Sequence, residues 1–274
     1  MRSLCIVPGS HANGDTDAII AAVGRDKWAQ PTISPEYKVP EHLVADVAAR
    51  ARLIDAKAWS SPVLLLWNAR TVHQGHHDGA SAAFRPPTLA APPFGAEPAD
   101  AWLEALAKDG FVAVRIDDLD AAAAERLLCA DLGAATLDDA TLPQFDNTGI
   151  RMGGGLAHGE FAWYLRRSPG VLGAFRALYP GGEALRGTFG SPVISPAAED
   201  GGAGSALRGG QWLHVDYSPP VEEGRMYQGC VYLPRDSGAS DAWCAWRRTA
   251  SCGRDDFREI LSGKTMINRH RHAW

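Results

Sequence analysis

The chain has 274 residues, 46% hydrophobic and 22% charged, with a formal net charge of -5. That is enough to bury a large core as one large domain or two small ones. It has no apolar run of about twenty residues for a membrane span, its start, MRSLCIVPGSH, turns too early for a signal peptide, and no basic stretch could neutralise a phosphate backbone; a membrane protein, a secreted precursor and a nucleic-acid binder are not expected.

The five cysteines, at 5, 129, 230, 244 and 252, form no C-x-x-C pair. An odd count fits reduced thiols in an intracellular, cytoplasmic setting. In chain order, LCIVPGSH from residue 4 and SPVLLLWNARTVHQG from residue 61 read as strands, short apolar runs bounded by turn residues. Between them, PEHLVADVAARARLIDAKA reads as a helix. Residues 79–99 hold Pro86, Pro87, Pro92, Pro93 and Pro98, which deny helix and ladder hydrogen bonds, so a linker is expected at 86–98. After it come an amphipathic helix, ADAWLEALAKDG, stopped by Gly110, the strand FVAVRI, and a second helix after Asp120. Ser168 caps a third helix, with Pro169 at its first position and Val171, Leu172, Phe175, Leu178 and Tyr179 on one face. The strands GTFGSPVIS, QWLHVDYS and YQGCVYLP follow, and a short helix is expected at DDFREIL.

The chemistry concentrates in QWLHVDYSPP. Residues two apart on a strand share a face, so His214 and Asp216 present an imidazole and a carboxylate side by side. This is two thirds of the facial triad that holds non-haem iron with positions left open. An H-x-D tripeptide alone arises by chance in many proteins.

The context makes it specific. QWLHVDYSPP followed by YQGCVYLP resembles the metal-binding strand and next strand of the phytanoyl-CoA dioxygenase-like group of iron(II)/2-oxoglutarate oxygenases, and KDGFVAV at 108–114 resembles that domain's leading strand. The resemblance implies a double-stranded β-helix, or jelly-roll, mainly β with flanking helices (α+β). The family's post-metal PGSH turn and distal-His strand are missing after Tyr232, but LCIVPGSH and SPVLLLWNARTVHQG resemble them. The implied order is circularly permuted: residues 1–85 are the C-terminal half, 86–98 the linker, 99–235 the N-terminal half with the H-x-D strand, and 236–274 a degraded continuation or tail. Residues 86–96, fully extended, span at most about 36 Å, the width of a small domain, so the halves can close on each other.

By the same resemblance His214, Asp216 and His73 hold Fe(II). Arg85, twelve residues after His73, grips the distal carboxylate of the co-substrate 2-oxoglutarate, with Arg70 as the alternative. Tyr217 and Gln228 stand near the pocket, to hydrogen-bond 2-oxoglutarate or to pack. The implied reaction is hydroxylation of a small organic or lipid-like molecule. Two other readings stay open. One is a non-catalytic fragment of a tandem array, in line with the match of Cys5, Gly14 and Asp17 to Cys244, Gly253 and Asp256 at a constant offset. The other is a cupin-type enzyme using the same ligands for different chemistry.

The remaining histidines have plainer explanations. His76 and His77 fit a solvated turn, His11 orders the PGSH loop, and His270 and His272 lie in a basic tail. Trp67 and Trp212 are expected in the core, and the nine tryptophans lack the interleaved basic pattern of a nucleic-acid platform.

Overall fold

The computed structural model describes residues 3–24, 36–76, 86–134, 156–180, 213–216 and 227–234. The fold is α+β, with a sheet of six strands and a second of three. The larger sheet runs β2 (Glu36–Lys38), β8 (His214–Asp216), β5 (His73–His76), β1 (Ser3–Ile6), β3 (Arg52–Asp55), β6 (Thr88–Leu89). In the smaller one β4 (Val63–Asn68) lies between β7 (Phe111–Arg115) and β9 (Tyr227–Tyr232). Both sheets therefore draw strands from each side of residues 86–98.

Alternation along the strands assigns the layers. Leu4, Ile6 and Ile54 of the larger sheet meet Val63, Leu65, Trp67, Phe111, Ala113 and Tyr232 of the smaller in one buried apolar cluster, so the sheets pack face to face. The intervening residues point outward. Cys5, Tyr37 and Val215 lie under α1 (Asp15–Val23) and α2 (Glu41–Arg50). Leu64, Leu66, Val112 and Val114 lie under α3 (Ala99–Asp109) and α6 (Pro169–Leu178). A smaller cluster joins α4 (Ala121–Ala134) to α5 (Glu160–Arg167). Each fully buried Leu, Val or Ile contributes about 1.5–3 kcal/mol by leaving water, and β4, buried at five consecutive positions, is the centre of the molecule. Burial also pushes the Cys5 thiol up to about 12, so it stays protonated and inert.

Carboxylates cap three helices. Asp120 accepts from the N–H groups of Ala122 and Ala123, and Asp131 of α4 accepts from those of Glu160 and Phe161 at the start of α5. The expected cap at Ser168 is present: its hydroxyl accepts from Val171 N–H and donates to Asp118. No helix among the described residues is long and apolar enough to cross a membrane.

Three segments depart from the expected pattern. SPVLLLWNARTVHQG is two strands in different sheets, because Asn68 turns the chain: its side chain accepts from Arg70 N–H and its carbonyl from Thr71 N–H. The helix expected through DAKA stops at Arg50; Ala51 is extended (φ -63°, ψ 146°), and the next four residues pair antiparallel with β1. Within 86–98, where ladder bonds were not expected, β6 pairs with β3, Pro87 accepts from Leu53 N–H, and Phe94 exchanges hydrogen bonds with β7. Proline removes only the donor, so its carbonyl and its neighbours still pair. The expected strand GTFGSPVIS, the helix at DDFREIL and residues 236–274 lie outside the described residues.

The end of α3 is where the early and late segments lock together. Gly110 is left-handed (φ 79°), and its N–H returns to Leu106. Its carbonyl accepts from Asn68 N–H and from the Thr71 hydroxyl, both at 2.9 Å. Gly9 N–H reaches the Asp109 carbonyl at 2.9 Å, and His11 Nε2 donates to the Ala107 carbonyl at 3.0 Å. A Cβ at position 110 would lie 2.5 Å from both His11 Nδ1 and Thr71 Oγ1. Gly110→Ala is therefore expected to lose at least the about 1–2 kcal/mol of left-handed strain, with more for the displaced neighbours, in denaturant unfolding. A loss below about 0.5 kcal/mol, the range of ordinary surface changes, would show that the junction yields freely.

The two helices over the larger sheet are joined by a bidentate pair, Arg50 to Asp15 at 2.7 and 2.8 Å. Burial alone pushes the Asp15 carboxyl up, but the hydrogen bonds from Arg50 and Asn13 and the guanidinium charge outweigh it and hold the group below the ordinary carboxylate range. A depressed folded value means stability that is present above the unfolded value and lost as pH falls through the folded one. Unfolding midpoints compared at neutral and acid pH are expected to fall less in Asp15→Asn than in the wild type.

Candidate metal centre

The inner face of the larger sheet changes character across one strand. On β1 and β3 it carries Leu4, Ile6 and Ile54, which belong to the cluster between the sheets. On β5, β8 and β2 the same face carries His73, His214 and Lys38, by the antiparallel registers Ile6 with His73, His73 with His214, and His214 with Lys38. Among the described residues no member of the inter-sheet apolar cluster comes from these three strands.

His73 and His214 are directly opposed across the β5–β8 pairing, each only 4% exposed. Their ring centroids are 4.4 Å apart and the planes are inclined at 49°. His73 Nδ1 lies 2.9 Å from the Thr71 carbonyl. A carbonyl can only accept, so Nδ1 is the donor; of the two neutral tautomers this contact selects the one with its lone pair on Nε2, the form in which an imidazole binds a metal. Thr71 is itself fixed by its hydroxyl on Gly110, so the junction at the end of α3 orients the His73 ring.

A wall of the smaller sheet faces this pair. The Trp67 ring is 5.3 Å from that of His73, and its Nε1–H donates to Gln228 Oε1 at 2.7 Å across the β4–β9 pairing. An indole N–H only donates, so the oxygen of the Gln228 amide is the end turned toward Trp67.

The residues expected at the site thus separate. His73 and His214 come together, Gln228 is linked to them only through Trp67, and Asp216 follows His214 on β8, opposite Glu36. Arg70 does not join them: its guanidinium binds Asp17 at 2.7 Å on α1, the helix over the opposite face of the sheet. Arg85, Tyr217 and the Asp216 side chain lie outside the described residues, as do His77, Trp212, His270 and His272. Among the described residues no group of three or more His, Cys, Asp or Glu side chains is placed to hold a metal; the two imidazoles are a pair with ring centroids 4.4 Å apart. Sequence reasoning missed the Thr71 carbonyl, which no side-chain motif announces, and the Trp67–Gln228 bond, which depends on pairing between distant strands.

Two neighbouring ligands of one ion each bring a nitrogen to about 2.0–2.2 Å from it. Two buried, directly opposed imidazoles, one already in the ligand tautomer, fit that demand. No protein-family model matches the chain, and no curated protein or solved structure matches it either.

Co(II), a spectroscopic substitute for Fe(II), is expected to bind with ligand-field bands that saturate at one equivalent. His73→Ala and His214→Ala should each weaken binding at least about tenfold, the scale on which even outer-shell changes act. Unaltered titrations in both folded variants would remove the pair from any metal site.

Proposed function

We propose that the chain is an iron(II)/2-oxoglutarate-dependent oxygenase of the phytanoyl-CoA dioxygenase-like type, a jelly-roll with its two halves in permuted order, acting on a small organic or lipid-like substrate. The observation that carries this reading is the pairing of His73 with His214. These are the two imidazoles implied by motifs on opposite sides of the Pro-rich segment, and they meet inside the molecule at neighbouring positions of one sheet. Strands from both segments share each sheet, which favours a closed domain over a fragment of a tandem array.

His73, His214 and Asp216 would hold the metal, with Arg85 and Tyr217 on 2-oxoglutarate. Bound there, the metal and its co-substrate supply oxidative hydroxylation of a C–H bond coupled to conversion of 2-oxoglutarate to succinate and carbon dioxide. The chain's own contribution is orientation and exclusion of water. The Thr71 carbonyl keeps His73 in the ligand tautomer, Trp67 covers its ring, and the Gln228 amide, turned by Trp67, has N–H donors for a carboxylate.

Anaerobic addition of Fe(II) and then 2-oxoglutarate is expected to give a weak metal-to-ligand charge-transfer band that His214→Ala abolishes, and admission of oxygen should release succinate. A band without succinate would favour a metal enzyme of different chemistry. No band in the wild-type protein would sink the proposal.

A further inference from the structure

The geometry points to Lys38 as the residue that receives a carboxylate of the organic acid bound at the His73–His214 pair; the inference rests on the metal reading above. Lys38 is the direct cross-strand partner of His214 on β2, the edge strand of the larger sheet. Directly opposed residues on adjacent strands have Cβ atoms about 4.5–5.5 Å apart on the same face, and a lysine stem adds enough reach for its ammonium to stand over the ring beside it. The neighbouring Tyr37 is fully buried on the outer face under the helices, which fixes Lys38 on the inner one. Lys38 is exposed while His214 is 4% exposed, so the row from β2 to β5 descends from an exposed ammonium to two buried imidazoles.

Edge strands often carry lysine merely to discourage pairing with other chains. Here, however, a metal cation at the two imidazoles would repel an ammonium on the adjacent strand, and an anion bound between them turns that repulsion into attraction. The Lys38 ammonium forms no ion pair or hydrogen bond among the described residues, whereas the Arg70 guanidinium is held by Asp17 on the other side of the sheet. A carboxylate suits this position because one end can chelate the metal while a second, or that of another molecule, meets the ammonium.

Calorimetric titration of the Co(II)-loaded protein separates the outcomes. Lys38→Ala is expected to leave Co(II) affinity the same or higher, because a repelling ammonium is removed, and to weaken 2-oxoglutarate binding about tenfold or more, the scale of one lost charge-assisted hydrogen bond, with Lys38→Arg retaining most of it. If 2-oxobutyrate, which lacks the distal carboxylate, is unaffected by Lys38→Ala, the contact is to the far end of the co-substrate. If both 2-oxo acids bind unchanged but octanoate added to the 2-oxoglutarate complex binds more weakly, the carboxylate belongs to the primary substrate. Unchanged affinity for all three overturns the role of Lys38 while leaving the metal reading intact. Failure of the wild-type protein to bind Co(II) overturns both.

Discussion

The carbonyl of Gly110 is the point on which the arrangement turns. It accepts from the Asn68 N–H and the Thr71 hydroxyl, and it is available to both only because α3 ends there in a left-handed residue without a side chain. The turn from β4 to β5 is thereby held against a helix from the far side of the Pro-rich segment. The turn after β1 is tied to the same place by Gly9 and His11, and Ser10 closes the triangle by accepting from Val72 N–H. In the same peptide unit, the Thr71 carbonyl receives His73 Nδ1. The orientation of a buried imidazole is thus set by a helix terminus outside its own sheet, through two hydrogen bonds.

The second governing feature is the polarity step on the inner face. Between β1 and β3 the sheets exclude water through aliphatic and aromatic side chains, whereas on the next two strands, β5 and β8, His73 and His214 are also buried. Burying imidazoles costs free energy unless their polar atoms find partners. Thr71 is the partner of one nitrogen of His73. Trp67 stands on the boundary: its ring packs in the apolar cluster and against His73, while its N–H orders Gln228. The imidazole pair and the core packing therefore share Trp67.

Much of this was legible in the sequence, for identifiable reasons. Strict alternation or continuous apolar character located β4, β7 and β9, and capping chemistry located the ends of α3 and α6. The H-x-D spacing located the first imidazole without any knowledge of its surroundings. What could not be read was set by contacts between distant segments. The short strands β2 and β6 carry no periodic signal of their own and exist because β8 and β3 offer them edges. The run from Val63 to His76 shows continuous β character, but the Asn68 turn sends its two parts into different sheets. Lys38 gains its interest only from the residue across the strand.

The same dependence bears on how a site of this kind would assemble. The His73–His214 pairing joins segments with most of the chain between them, and β4 completes its sheet only with strands from the later part. Such non-local pairings are costly to form first, because the connecting chain loses freedom before any contact compensates it. The two imidazoles therefore come together only when both sheets are nearly complete, and an ion that needs both can bind only that closed state. Its binding free energy would then add to the stability of the fold. That coupling would make strand order along the chain secondary to strand adjacency in space: what matters to the imidazole pair is that β5 and β8 lie side by side, whichever end of the sequence supplies each.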